Sequence, residues 1–171
     1  MGNRRRQRVV TFRGRQAGPQ HVGDLDVMVS TEAGKLVHAR LGDCYRNAIR
    51  CAPFVAGDAT FYVEGYGVLH GVPLEHGWLV VDGKVIDPTV AAFKDGVMFD
   101  QYVPVLVWSM EDMAAQATEQ GVMPLGDWFI GGWESSATLG RKEIGMAWQT
   151  AALRAVGYAG TAADFHKEAG L

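Results

Sequence analysis

One segment, EHGWLVVDGKVIDPT from Glu75 to Thr89, constrains the fold of this chain more than any other. Its Asp82-Gly83 pair lies between two valine-rich runs, and such a pair favours a type I′ turn, which needs positive φ at both central positions. The segment therefore predicts two antiparallel strands joined by a tight hairpin. The turn also sets the register of the strands, in which three pairs of residues face each other: Leu79 with Ile86, Trp78 with Asp87, and His76 with Thr89.

Side chains of a strand alternate between its two faces, so this register places His76, Trp78, Asp87 and Thr89 on one face of the hairpin. His76 and Asp87 are diagonal neighbours with backbones roughly 7 to 8 Å apart, a gap that two side chains of this length can close. A carboxylate bonded to one ring nitrogen fixes the tautomer of a histidine and leaves the other nitrogen free to take a proton from a nucleophile. The hairpin therefore predicts a base and the carboxylate that orients it.

The candidate nucleophile, Cys44, precedes this hairpin in the chain. Asp43 is a favoured N-cap residue, so Cys44 is predicted in the first turn of a helix, which Pro53 ends. Unpaired backbone N–H groups and the helix dipole favour a thiolate at that position, although the charge of Asp43 opposes it. Four residues of this helix share one face at helical spacing: Cys44, Ala48, Cys51 and Ala52.

Each of these residues also has a purely structural interpretation. Cys44 is then a small core residue, His76 a hydrogen-bonded histidine of a sheet, and Asp87 the start of a turn before Pro88. Their joint placement, a helix start followed by one face of a hairpin, favours a site. A zinc site is disfavoured because no C-x-x-C pair and no H-x-x-x-H helix is present, and no cofactor is expected. Its four candidate ligands would be Cys44, His70, His76 and Asp87.

The rest of the chain divides into a strand-rich middle and a helical last third. Thr60 to Glu64 and Gln101 to Trp108 are predicted strands, and Pro104 in the second indicates an edge or a bulge. The chain then has three predicted helices: one opened by a capping box of Ser109 and Asp112 and ending near Glu119, one over Arg141 to Val156, and a short terminal one capped by Thr161. The middle helix carries an apolar stripe of five residues: Ile144, Trp148, Ala151, Ala152 and Ala155.

Charge is distributed unevenly along the chain. Residues 1 to 15 contain six arginines and no acidic residue, whereas the whole chain has a net charge of −3. Such an arm, Arg4 to Arg15, is suited to weak contacts with phosphate or nucleic acid, or else it is a solvated tail. We therefore expect a basic extension over 1–15 and a single domain over 16–171, with a core at 41–108 and a helical part at 109–171.

The 171 residues are numerous enough to bury a core without disulfides or a structural metal. The two cysteines lie seven positions apart in one predicted helix, too far to form a disulfide, which indicates reduced thiols and a cytoplasmic protein. We expect no membrane contact, because no apolar run approaches the length of a membrane span.

Five short motifs resemble the papain-like cysteine hydrolase superfamily in its transglutaminase-like order, which arylamine N-acetyltransferases share. These motifs are Asp43 to Ala48 (DCYRNA), Tyr62 to Gly65 (YVEG), Glu75 to Trp78 (EHGW), Asp82-Gly83 and Ile86 to Thr89 (IDPT). The chain is also similar to small uncharacterised bacterial and phage proteins with C-Y-x-N-A, E-H-x-W and D-P-T elements. The resemblance covers residues 41 to 107.

The resemblance implies an α+β fold with a papain-like or transglutaminase-like core, in which a helix bearing the cysteine packs on an antiparallel sheet and the C-terminal third is helical. It implies Cys44 as nucleophile, His76 as general base and then acid, and Asp87 as the residue that orients His76. The oxyanion would be bound by the backbone N–H of Cys44 and one further donor. The glutamine that papain-type enzymes place six residues before the cysteine is His38 here.

The implied activity is hydrolysis or transfer of an acyl group at an amide, ester or isopeptide bond, through a thioester on Cys44. The substrate would be a peptide, a protein or a small acyl compound. The alternative is a catalytically inactive papain-like binding module, such as a phage or effector protein that binds a host partner. Substrate contacts are expected from Glu64, Trp78, Trp128 and Trp133 and from a loop over Gly65 to Gly71, although Glu64 also fits a solvated strand carboxylate and the tryptophans also fit core packing.

Overall fold

The computed structural model of this protein describes residues 13–55, 57–94, 96–120 and 142–169. They form an α+β fold, as expected: a five-stranded antiparallel sheet with helices packed against it. The strands are β1 (Arg15–Gln16), β2 (Thr60–Leu69), β3 (Val72–Val81), β4 (Lys84–Ile86) and β5 (Gln101–Ser109), in the spatial order β1-β5-β2-β3-β4. The helices are α1 (Val27–Leu36), α2 (Cys44–Cys51), α3 (Met110–Gln120), α4 (Lys142–Ala155) and α5 (Ala162–Glu168).

The predicted hairpin is present as β3 and β4. Asp82 and Gly83 form its turn with φ of 49° and 79°, and Leu79 faces Ile86 as the turn chemistry required. The strand pairing ends at Ile86, however, because Pro88 to Ala92 form a 3₁₀ turn. The pairs predicted beyond Ile86 are therefore not pairs of a β-ladder, and Asp87 instead caps that turn.

The sheet continues where the sequence predicted a loop. Gly65 to Gly71 was expected to form a loop, yet β2 runs on to Leu69 and pairs with β3 along its whole length. The turn between them consists of His70 and Gly71, with φ of 49° and 77°. Both turn residues have positive φ, as in a two-residue hairpin, so β2 and β3 form a second tight hairpin.

Two glycines inside β2 give room to neighbouring parts of the fold. A Cβ on Gly65 would lie 2.2 Å from the carbonyl oxygen of Val103, and a Cβ on Gly67 would lie 2.7 Å from Cδ1 of Phe99. The register of β2 and β5 shifts at Gly65, which faces Pro104. Pro104 therefore lies at a bulge of an inner strand, since β5 lies between β1 and β2.

The two sides of the sheet bury different apolar clusters. Leu79 lies in the cluster formed with residues of α1, α2 and α4, whereas its neighbours Trp78 and Val80 lie in the second cluster with Phe99 and Tyr102. Consecutive strand residues point to opposite faces, which explains the division. The cysteine-bearing helix α2 thus packs on an antiparallel sheet, mainly against β3.

The start of α2 differs from its prediction in one respect. Asp43 occupies the N-cap position, but its side chain makes no capping hydrogen bond. Asn47 instead holds the preceding loop, because its Oδ1 accepts from the backbone N–H of Arg40 at 3.2 Å and its Nδ2 donates to the carbonyl oxygen of Arg40 at 2.8 Å. The four residues predicted on one face, Cys44, Ala48, Cys51 and Ala52, are all buried, and both cysteines are free thiols.

The predicted helices of the last third are present. The Ser109 hydroxyl accepts from the backbone N–H of Asp112 at 3.0 Å at the start of α3, and Thr161 caps α5. In α4 the stripe residues Trp148, Ala151 and Ala155 are buried, Ala152 is partly buried, and the side chain of Ile144 lies outside the described residues. No helix in the described part of the chain combines the length and apolarity that crossing a membrane requires.

The end of the predicted basic extension belongs to the sheet. Arg15 pairs with Val107 in β1, and its guanidinium lies 3.0 Å from the carboxylate of Asp112. The backbone N–H of Arg13 donates to Oε1 of Gln116 at 3.0 Å. Residues 1–12, which carry the other arginines of the predicted arm, lie outside the described residues.

Candidate functional site

The three residues predicted to form a site lie together in the structure. His76 Nε2 is 2.7 Å from Oδ2 of Asp87, and Cys44 lies close enough to the same imidazole to help raise its pKa. Because Nε2 is bound to the carboxylate, Nδ1 is the ring nitrogen that remains for Cys44. Sulfur, imidazole and carboxylate are therefore arranged in the order that nucleophilic catalysis uses.

A glycine in β3 allows α2 to approach this histidine. A Cβ on Gly77 would lie 2.5 Å from Cδ1 and 3.2 Å from Cα of Tyr45, the residue that follows Cys44. Gly77 therefore permits the first turn of α2 to pack directly on β3, next to His76. The sequence analysis did not single out Gly77, although a glycine within an apolar strand is a known sign of close backbone approach.

Both oxygens of the Asp87 carboxylate accept hydrogen bonds. Oδ1 accepts from the backbone N–H of Thr89 at 2.9 Å, and Oδ2 accepts from the hydroxyl of Tyr102 at 2.9 Å as well as from His76. The backbone N–H of Asp87 donates to Oγ of Ser30 at 2.9 Å. The carboxylate is fully buried, so these bonds fix its orientation and replace the water it has lost.

Asn47 links the two halves of the site. Its Nδ2 donates to Oγ1 of Thr89 at 3.2 Å, while the same amide group holds the loop before α2. Asn47 thus connects the helix that bears Cys44 with the turn that bears Asp87. None of Ser30, Asn47 and Tyr102 was predicted to contribute to the site, and Thr89 was predicted only to lie on its face of the hairpin.

The environment of His76 favours its charged form. Burial by itself would lower the pKa of this histidine, but the charge of Asp87, the hydrogen bond to it and the interaction with Cys44 together raise the pKa to about 10. The ring is 3% exposed and lies between Trp78, with ring centroids 6.0 Å apart, and Phe99, at 4.5 Å. An imidazolium at neutral pH stabilises a thiolate beside it.

The three residues differ in their access to solvent. Cys44 is 9% exposed, whereas His76 is 3% and Asp87 is 0% exposed. The sulfur is therefore the most exposed end of the row formed by Cys44, His76 and Asp87. Cys51, two turns further along α2, is fully buried, and burial together with the charge of Asp87 raises the pKa of its thiol to about 12.

The first turn of α2 supplies backbone donors beside the sulfur. The first hydrogen bond within the helix is made by the backbone N–H of Asn47 to the carbonyl oxygen of Asp43, at 2.8 Å. The N–H group of Cys44 precedes this bond and has no partner within the helix. His38, at the position of the papain-type glutamine, is exposed and has φ of 53°.

Two of the residues predicted to contact a substrate are buried. Glu64 accepts a hydrogen bond from the Tyr62 hydroxyl at 2.9 Å and is 0% exposed, so its interpretation as a solvated carboxylate is wrong. It faces Gly77 across the strands, on the side of the sheet that carries α2. Trp78 is also 0% exposed and stacks on the ring of His76. Trp128 and Trp133 lie outside the described residues.

Within the described ranges, no group of three or more histidine, cysteine, aspartate or glutamate side chains is arranged to hold a metal ion. The fourth candidate zinc ligand, His70, lies in the turn between β2 and β3. Comparison of the chain with models of known protein families, with curated proteins and with solved structures found no match. The interpretation of the site therefore depends on its own residues and geometry.

Proposed function

We propose that this protein is a thiol-dependent acyl hydrolase or acyl transferase with a papain-like or transglutaminase-like core. The observation that carries the proposal is the row of Cys44, His76 and Asp87, in which the 2.7 Å bond from Nε2 to the carboxylate leaves Nδ1 for the sulfur. The chemistry of this row fits an amide, ester or isopeptide bond in a peptide, a protein or a small acyl compound.

The first half of the proposed reaction acylates the enzyme. The thiolate of Cys44 attacks the carbonyl carbon of the substrate, and the backbone N–H of Cys44 donates to the oxyanion that forms. His76, charged at the start, then donates its Nδ1 proton to the leaving amine or alcohol as the carbon–heteroatom bond breaks. The products are a thioester on Cys44 and a neutral imidazole.

The second half removes the acyl group. Neutral His76 takes a proton from water, or from an acceptor amine or alcohol, and the resulting nucleophile attacks the thioester carbonyl. The carbon–sulfur bond then breaks, which returns the thiolate and the imidazolium. Asp87 keeps the ring in the same orientation throughout, because its bond to Nε2 fixes which nitrogen transfers protons.

Acyl trapping on Cys44 tests this proposal. The protein is incubated with p-nitrophenyl acetate, and intact-mass analysis with peptide mapping measures the extent and position of acetylation. We expect one acetyl group on Cys44, and none on that peptide in a Cys44→Ala variant. Cys51→Ala is the matched control, because it removes the other thiol and should leave the acetylation unchanged.

The same experiment distinguishes the second class of function. A folded protein that carries acetyl groups only on lysines, at equal levels in the wild type and Cys44→Ala, would contradict acyl chemistry at Cys44. That result would favour a papain-like module that binds a partner without catalysis.

A further inference from the structure

One tyrosine of β5 contacts the carboxylate of the candidate site. The hydroxyl of Tyr102 donates to Oδ2 of Asp87 at 2.9 Å, and this is the same oxygen that lies 2.7 Å from His76 Nε2. A single carboxylate oxygen therefore accepts from two donors, one a tyrosine and one the histidine of the row. The hydrogen bond of Tyr102 to the row is therefore to Asp87 and not to Cys44.

The packing of Tyr102 fixes the direction of its hydroxyl. Its ring lies 5.2 Å from the ring of Trp78 and 5.6 Å from the ring of Phe99, both in edge-on contacts. Tyr102 is 9% exposed, and burial together with the charge of Asp87 raises the pKa of its hydroxyl. The tyrosine is therefore a neutral donor at neutral pH.

The charged and titratable groups around His76 come from three elements. Cys44 lies on α2, Asp87 follows β4, and Tyr102 lies on β5. Further along α2, the pKa of Cys51 is also raised by burial and the charge of Asp87. A neutral hydrogen-bond donor offsets part of the negative charge of the carboxylate to which it donates. It therefore reduces the attraction of that carboxylate for a neighbouring imidazolium.

We propose that Tyr102 is a positioning residue of the candidate site, which holds the Asp87 carboxylate in line with His76 and limits how strongly that carboxylate retains the imidazolium proton. Its part in catalysis depends on the proposed acyl chemistry. Its effect on His76 does not, so the two can be tested separately.

The titration of His76 tests the effect directly. Histidine resonances of ¹⁵N-labelled protein are followed by NMR over the pH range in which the protein is folded, with His76→Gln used to assign the signal. In Tyr102→Phe we expect the His76 midpoint to rise by about half to one pH unit, the equivalent of one neutral hydrogen bond. An unchanged or lowered midpoint in a folded Tyr102→Phe would overturn the proposal.

Tyr158→Phe is the matched control. The hydroxyl of Tyr158 also donates to a carboxylate, that of Glu168 at 3.0 Å. Tyr158 lies in the connection between α4 and α5, and Glu168 is the last residue of α5. Removing that bond should leave the His76 midpoint where it is in the wild type. A shift of equal size in Tyr158→Phe would show that the effect is general to the fold, and would contradict a role specific to Tyr102.

A second variant and a wild-type measurement complete the test. In the wild type, Tyr102→Phe should slow the alkylation of Cys44 by iodoacetamide about fivefold, because the Asp87 carboxylate no longer holds His76 in line with the sulfur. On an Asp87→Asn background the same substitution should have a smaller effect. Equal effects on both backgrounds would overturn action through Asp87. If Tyr102→Phe does not fold, a slowly exchanging Tyr102 hydroxyl proton with an NOE to His76 in the wild type supports the proposal, and its absence contradicts it.

Failure of the proposed function would look different. A wild-type Cys44 that reacts as slowly as Cys51 would end the acyl-transfer proposal, whereas the histidine titration would still decide whether Tyr102 tunes His76.

Discussion

At the scale of single residues, His76 couples the charge of the site to the stability of the fold. Its pKa in the folded protein is about 10, because the charge of Asp87 and the interaction with Cys44 outweigh the effect of burial, and its value in an unfolded chain is about 6.5. Between these pH values the folded protein holds one more proton on this ring than the unfolded chain does. The stabilisation is therefore fully present below about pH 6.5 and is lost as the pH rises towards 10.

We therefore expect the titration of His76 to lower the free energy of unfolding on the order of 1–3 kcal/mol between about pH 7 and pH 9.5. Urea unfolding at several pH values measures this change. In His76→Gln the fall should be smaller, since glutamine does not titrate. His38→Gln, at an exposed histidine, should keep the wild-type dependence; a dependence lost in this control but kept in His76→Gln would contradict the assignment.

The partners of the site residues were predictable only where the chain brings them together locally. The pairing of His76 with Asp87 followed from the two-residue turn, which fixes the register of β3 and β4 within a few residues. Ser30 and Tyr102 come from α1 and β5, and their bonds to Asp87 depend on how those elements pack. A serine or tyrosine at such positions carries no local pattern that distinguishes it from other polar residues.

At the scale of elements, the approach of α2 to β3 depends on Gly77. In Gly77→Ala the new Cβ would meet the ring and backbone of Tyr45, so the first turn of α2 must move away from His76. We expect a loss of about 1–3 kcal/mol in the free energy of unfolding and slower alkylation of Cys44.

Thermal unfolding and iodoacetamide kinetics check this prediction together. Val72→Ala, at the exposed start of the same strand, is the control and should alter neither quantity appreciably. A Gly77→Ala protein with unchanged stability and unchanged Cys44 reactivity would show that the close approach has no role in the site.

The start of α2 offers a matched pair of variants. Asn47→Ala removes the bonds to Arg40 and Thr89 from a residue that is 2% exposed, so we expect a loss of about 1–3 kcal/mol in stability. Asp43→Ala removes no capping bond, and we expect a change within about 0.5 kcal/mol. Urea unfolding of both variants would contradict the structure if Asp43→Ala proved the more destabilising of the two.

The same elements show why boundaries were harder to predict than elements. Asp43 is a favoured N-cap residue, but Asn47 holds the loop through its bonds to Arg40 and is itself fixed by a bond to Thr89, far along the chain. Gly65 and Gly67 suggested the end of a strand by their local preference. In the fold they are required within β2, because Val103 and Phe99 approach it too closely for a side chain.

At the scale of the whole molecule, the α+β class follows from a strand-rich middle, β2 to β5, with helices before and after it. The order of the strands does not, because β5 returns to pair with β2 and then with β1, which comes from the start of the described chain. Such long-range pairing is specified by packing across both sides of the sheet. The site lies where this arrangement brings α2, the end of β4 and β5 around one histidine of β3.

The central claim is that Cys44 is a reactive thiol because of the His76–Asp87 pair beside it. Its most direct test is the rate of alkylation of each cysteine by iodoacetamide at pH 6, followed by peptide mass analysis of the folded protein. We predict that Cys44 reacts at least about tenfold faster than Cys51, since an ordinary thiol is almost wholly protonated at that pH, and that His76→Gln abolishes the difference. Equal, slow alkylation of both cysteines in the folded wild type would contradict the account.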